Sequence, residues 1–159
     1  MRSQVLSTQV DVAQEHKGWI RLLRSHAALT RELSARLEAT HGLSLRDFDV
    51  LVQLYEAPER RMRRIDLART VILSPSGVTR LLEGLERAGW VSKHHCSTDA
   101  RVTWAVLTDA GAAKFEAARA SHIEDLQELF ASRFSADEHE QLATLLGRLP
   151  MADAGACNA

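Results

Sequence analysis

A chain of 159 residues, 45% hydrophobic and 26% charged, has room for one core with helical extensions and the composition of a globular protein. Its apolar runs span only a few residues, and MRSQVLSTQVDVAQEHKGW at the start lacks the apolar centre of a secretory signal, so the expected location is the cytoplasm, with no membrane span. The net charge of −1 conceals an uneven distribution: residues 1–57 carry seven Lys/Arg and seven Asp/Glu, residues 58–104 nine and five, residues 105–159 four and nine. A basic middle between neutral and acidic flanks is the footprint of a polyanion-binding surface confined to that middle; a solvated basic face is the competing reading. Cys96 and Cys157 lie far apart, the second in a Gly/Ala-rich tail, so no disulfide framework is expected.

In chain order, Trp19, Leu22, Leu23, His26, Leu29, Leu33 and Leu37 recur at helical spacing and predict a long first helix that Gly42 terminates. Before it, residues 1–17, with Val5, Leu6, Val10 and Val12, either add to an association surface or fray. Ser44-Leu45-Arg46-Asp47 has the form of an N-cap with an acidic residue three positions on. It opens a second helix with the stripe Leu45, Phe48, Leu51, Val52 and Tyr55, ending near Pro58. A short third helix is built on Ile65, Ala68 and Val71.

LSPSGVTRLLEGLERAGW, residues 73–90, is the best-specified helix. Ser74 suits the cap, Pro75 the first position, where a missing N–H costs nothing, and Gly89 the left-handed exit; Val78, Leu81, Leu82 and Leu85 form the stripe. The opposite face near its start offers Ser76, Gly77, Thr79 and Arg80, small or hydrogen-bonding residues suited to a groove and base edges, although such a face is also common on surface helices. VSKHHC and VTWAVL then read as the two strands of a hairpin, joined by STDA and Arg101. Beyond Thr108, a predicted cap, Phe115, His122, Ile123, Leu126, Leu129 and Phe130 mark a long helix. Ser135 with Glu138 caps a last one carrying Leu142, Leu145, Leu146 and Leu149 before Pro150.

Helix, short helix, capped helix, hairpin is the plan of a winged helix-turn-helix, giving a mainly α fold with a small β-hairpin wing. In that plan the capped helix enters the major groove and the hairpin lies along the backbone with its tip near the minor groove. Arg101 at the tip can enter a narrow minor groove, where the enhanced negative potential favours a cation. The expected division is an N-terminal dimerisation helix region over 1–43, the winged domain over 44–107, C-terminal dimerisation helices over 108–150 and a disordered tail over 151–159.

DARVTWAVLT (99–108), an Asp-x-Arg followed by a strand ending in Leu-Thr, resembles the wing signature of the multiple-antibiotic-resistance-regulator (MarR) family of bacterial transcription factors. SPSGVTRLLEGLERAGWV (74–91) is similar to that family's recognition helix closing on a Gly-hydrophobe step, and LTDAGAAKFEAA (107–118) to its Leu-Thr-x-x-Gly start of the fifth helix. The resemblance covers roughly residues 18 to 149. It implies a homodimer on double-stranded DNA, and the apolar stripes of the first and last two helices supply surfaces for a partner chain.

The resemblance further implies roles for individual residues. Ser74, Ser76, Thr79 and Arg80 would read or position on the major groove, Arg63, Arg64 and Lys93 would contact phosphates, and Asp99 would hold Arg101, its alternative being a turn residue. A small aromatic or anionic effector would meet Trp19, Leu22, Leu23 and His26 on the first helix and Phe48, Leu51 and Val52 on the second; core packing is the competing role for each. The expected outcome is a repressor released from a pseudo-palindromic operator. Two alternatives stay open: a winged module that docks on protein, and a thiol sensor using Cys96, set against an inert strand cysteine. His94-His95-Cys96 offers too few ligands for a metal site, no cofactor is expected, and the chain lacks a phosphate loop, a Gly-x-Ser-x-Gly elbow and a His-Glu-x-x-His helix, so no enzyme is expected.

Overall fold

The computed structural model describes residues 12–71, 75–95 and 102–150, and the chain divides into two compact units, residues 1–32 and 33–159. Helix α1 spans Val12–His41 and ends where Gly42 takes φ 63, a left-handed exit that suits a residue without Cβ. In the first unit Trp19, Ile20 and Leu23 are exposed on this helix.

The second unit holds the core. Helix α2, Leu45–Glu56, starts in a capping box: Ser44 Oγ accepts from the Asp47 amide at 3.1 Å while Asp47 Oδ2 accepts from the Ser44 amide at 2.9 Å. A 3-10 turn, Pro58–Arg60, leads into strand β1, Arg61–Arg63, and then come α3, Arg64–Thr70, and α4, Pro75–Arg87. Gly89, at φ 75, releases the chain into strand β2, Val91–His95, which returns as β3, Thr103–Leu107. Helix α5 covers Asp109–Leu129, a 3-10 turn Ala131–Arg133 follows, and α6 covers Ala136–Leu146 behind a second capping box, Ser135 with Glu138.

The fold is the expected mainly helical winged helix-turn-helix, but its sheet has three strands, antiparallel in the order β1-β3-β2. Met62 lies opposite Ala105 and Lys93 on the far side of the same residue. Strand β1 is invisible to pattern reading because Arg-Met-Arg is three residues long and mostly charged; it exists only because β3 offers it an edge.

Three other expectations are corrected. Ile65, read as part of the third helix's stripe, is 58% exposed, and Leu67 is fully buried in its place. Helix α2 buries Val50 and Leu54 as well as Phe48 and Leu51, because it packs against α5 along one side and against α3 and β3 along another. Helix α5 does not lie outside the winged domain along its whole length: Ala112, Phe115 and Ala118 are buried in the same core as Leu51, Leu82 and Leu107. Its later residues Ile123 and Leu126, with Leu145 and Leu149 in and after α6, are exposed.

Thr108 joins the wing to α5. Its Oγ1 accepts from the Gly111 amide at 3.0 Å and donates to the Gly89 carbonyl at 2.7 Å, while its amide donates to the Trp90 carbonyl at 3.1 Å. Among the described residues no helix is long and apolar enough to cross a membrane, and no group of three His, Cys, Asp or Glu is placed to hold a metal ion.

Candidate nucleic-acid interface

Helix α4 is the element best built to enter a groove. Val78, Leu82 and Leu85, one and two turns apart, are essentially inaccessible and pin one face to the core. That anchoring turns Arg80 outward and leaves Gly77 and Thr79 half-buried near the helix start. Pro75 opens the helix and Ser76 lies in its first turn; Ser74, assigned as the cap, lies outside the described residues.

Arg63, Arg69 and Lys93, basic residues around this helix, are paired with acidic neighbours. Arg63, at the end of β1, places Nε 2.9 Å from Asp66 Oδ2, and Asp66 also faces Arg69 Nη1 at 3.9 Å. Lys93 on β2 has Nζ 3.4 Å from Glu86 Oε2. Arg64 begins α3 and is half-buried. An exposed pair such as Arg63–Asp66 contributes only about 0–1 kcal/mol, so a phosphate can replace the carboxylate partner at little loss. The surface thus brings Arg63, Arg64, Lys93 and Arg80 into one domain, while Asp99 and Arg101, expected from the sequence at the wing tip, lie outside the described residues.

One feature of this region escapes sequence reading. The Arg61 guanidinium sits 5.0 Å from the centroid of the Trp104 ring and its Nη2 lies 2.6 Å from Glu59 Oε2. Glu59 and Arg60 both take φ 53, a left-handed backbone that non-glycine residues adopt at a cost. No sequence signal marks this turn, since neither residue is a usual left-handed former.

The residues assigned to an effector divide between the two units. Trp19, Leu23 and His26 are exposed and Leu22 half-buried; in the second unit Phe48 and Leu51 are buried and Val52 half-buried. Phe48 lies 4.6 Å from the His122 ring and 5.5 Å from Phe115, centroid to centroid. His122 Nδ1 is buried without a hydrogen-bond partner, and desolvation holds its pKa below the ordinary histidine value against the opposing pull of Asp125. Burial likewise raises Asp49. Within the second unit Arg36 ties α1 to α5, its Nη1 at 2.8 Å from Asp125 Oδ1 and Nη2 at 3.0 Å from Glu128 Oε1, and that bond holds Glu128 below the usual carboxylate range. His41 Nε2 adds a hydrogen bond to Ser121 Oγ at 2.7 Å.

Comparison with known proteins agrees with this geometry. Residues 43–103 match the family model described as MarR family. The uncharacterized HTH-type transcriptional regulator YdgJ of Bacillus subtilis (strain 168) is 29% identical over 158 residues, covering 94% of each chain. The HTH-type transcriptional repressor YetL of the same organism is 31% identical over 111 residues, covering 70% of this chain and 66% of YetL. Among solved structures, Sco3205, a MarR family transcriptional regulator from Streptomyces coelicolor in complex with DNA, superposes with a TM-score of 0.81 at 26% identity, covering 89% of this chain and 92% of Sco3205.

Proposed function

This chain belongs to the MarR family and is a DNA-binding transcriptional regulator, and on that premise we propose that it acts as a homodimeric repressor that occupies a pseudo-palindromic operator and leaves it when a small aromatic or anionic molecule binds. The observation that carries this reading is α4: three buried residues on one side leave Arg80 exposed, on a helix that packs against α3 and β2. Ser74, Ser76, Thr79 and Arg80 read or position on the major groove; Arg63, Arg64 and Lys93 contact phosphates; Arg101, held by Asp99, enters the minor groove. Support for a partner chain comes from the exposed Ile123, Leu126, Leu145 and Leu149, apolar side chains that a second copy would cover. Repression is supported by the likeness to YetL. The effector is assigned to Trp19, Leu22, Leu23 and His26 on α1 and to Phe48, Leu51 and Val52 on α2.

Light scattering at micromolar concentration, followed by footprinting on selected genomic fragments, tests the reading. The expected result is a dimer protecting two half-sites about 10 base pairs apart, centre to centre. A stable monomer of 17.7 kDa bound to a single unrepeated site would refute it.

A further inference from the structure

We propose that Asp66, in the first turn of α3, is a positioning residue for DNA binding: it holds the Arg63 guanidinium so that its two terminal amino groups face the phosphate backbone. The inference rests on the proposed role of Arg63 as a phosphate contact. Arg63 is both the last residue of β1 and the N-cap of α3, and the sheet fixes its backbone opposite Trp104 of β3. The side chain is half exposed, and a long, unattached arginine would sample many rotamers. Asp66 restricts it, Oδ2 accepting from Arg63 Nε at 2.9 Å. The residue is thus held at its root by the strand ladder and at its head by the helix.

The shape of a guanidinium decides what that bond leaves over. Its five N–H donors form a rigid planar fork. Asp66 engages Nε, on one edge, and among the described residues no partner meets Nη1 or Nη2, which stay available for a bidentate grip on phosphate. A phosphate that displaced Asp66 would lose little, but the open edge makes displacement unnecessary. Spacing explains why the carboxylate takes a side chain here. Asp66 stands three residues after its N-cap, as Asp47 does after Ser44 and Glu138 after Ser135, where the acid accepts from the amide of the cap residue. Arg63 has no hydroxyl to complete such a box, makes no side-chain capping bond, and offers its guanidinium instead.

A carboxylate beside a phosphate contact would repel DNA if its charge stood alone. Asp66 Oδ1 also faces Arg69 Nη1 at 3.9 Å, too far for a hydrogen bond but near enough for attraction. Two cations against one anion leave the trio with one positive charge in excess. Asp66 therefore orients Arg63 without cancelling the field that DNA meets, and a phosphate finds a side chain already ordered, which spares binding that loss of freedom.

Fluorescence anisotropy of the full chain on a duplex of arbitrary sequence, about 30 base pairs long, tests the proposal, because phosphate contacts supply nearly all non-specific binding. Two uncharged substitutions separate orientation from charge: Asp66→Asn keeps an oxygen for the Arg63 Nε–H, and Asp66→Ala does not. Asp66→Asn is expected to bind about fivefold more tightly than Asp66→Ala, the factor for ordering one long side chain on binding. In an Arg63→Gln background the two should bind equally, and Arg63→Gln alone should weaken binding and reduce the salt slope by about 1. Equal affinity of the Asn and Ala variants, or tighter binding by Ala, with Arg63→Gln still weakening the complex, would overturn the positioning role and leave Arg63 as a phosphate contact. A difference that persists in the Arg63→Gln background would also overturn it, because it would assign the effect to the shape of α3. Arg63→Gln with unchanged affinity and slope, or a parent that does not bind the duplex, would overturn the inference together with the phosphate contact on which it rests.

Discussion

Replacing Gly111 with Ala should destabilise the protein, against the general rule for glycine in a helix. In a helix interior Ala is favoured over Gly by about 1 kcal/mol. At Gly111, however, a Cβ would land on the Trp90 carbonyl oxygen, far inside contact distance, and 2.8 Å from Leu107 Cδ1. Relief requires the start of α5 to withdraw from the β2 entrance, which breaks the Thr108 amide bond to Trp90, 3.1 Å, and the Thr108 Oγ1 bond to Gly89, 2.7 Å. Each such bond contributes about 0.5–1.5 kcal/mol net and overpacking about 1–3 kcal/mol, so the helix-propensity gain is outweighed and a net loss of about 2–4 kcal/mol is expected. Gly84 provides the internal comparison: a Cβ there meets nothing within 4 Å, and Gly84→Ala should raise stability by up to about 1 kcal/mol. Urea denaturation followed by circular dichroism at one fixed protomer concentration measures both. A midpoint for Gly111→Ala equal to or above the parent's would refute the close-approach explanation.

Arg101→Ala should weaken operator binding by about 1–3 kcal/mol and lower the slope of log affinity against log salt, with the dimer still folded; anisotropy titrations over a salt series would detect an unchanged slope, which would remove Arg101 from the interface. A protein with both Cys96 and Cys157 replaced by Ser should still release its operator on addition of an aromatic acid, and release by peroxide in the parent alone, with no ligand response, would move the sensor to a thiol. Because the His122 pKa is lowered on folding, its contribution is fully present above the unfolded value of 6.5 and is lost as pH falls toward the lowered one. His122→Leu should therefore flatten the fall in thermal midpoint between pH 7 and about pH 5, and an equally steep fall in both proteins would assign the acid sensitivity elsewhere.

The helices were legible in the sequence because their determinants are local. Ser44 with Asp47, Ser135 with Glu138 and Thr108 with Gly111 are pairs three residues apart, and each makes the bond its spacing implies. The stripe of α4 was legible for a related reason: a 3.6-residue period places Val78, Leu82 and Leu85 on one face whatever lies opposite. The wing followed from two β-rich runs, which pair as β2 and β3.

Tertiary structure decided the features whose partners lie far along the chain. Strand β1 forms only where β3, more than forty residues on, completes its hydrogen bonds. Leu67 rather than Ile65 enters the core because α3 packs against α2 and α4, an orientation that seven residues cannot encode by periodicity. The burial of Phe115 and Ala118 depends on α2 lying across α5, and the fork of Arg36 on Asp125 and Glu128 links groups 89 and 92 residues apart. Gly111 shows both levels in one residue. The sequence places it in the first turn of α5, but only the approach of the Trp90 carbonyl, brought there by the fold, explains why that position has no room for a side chain.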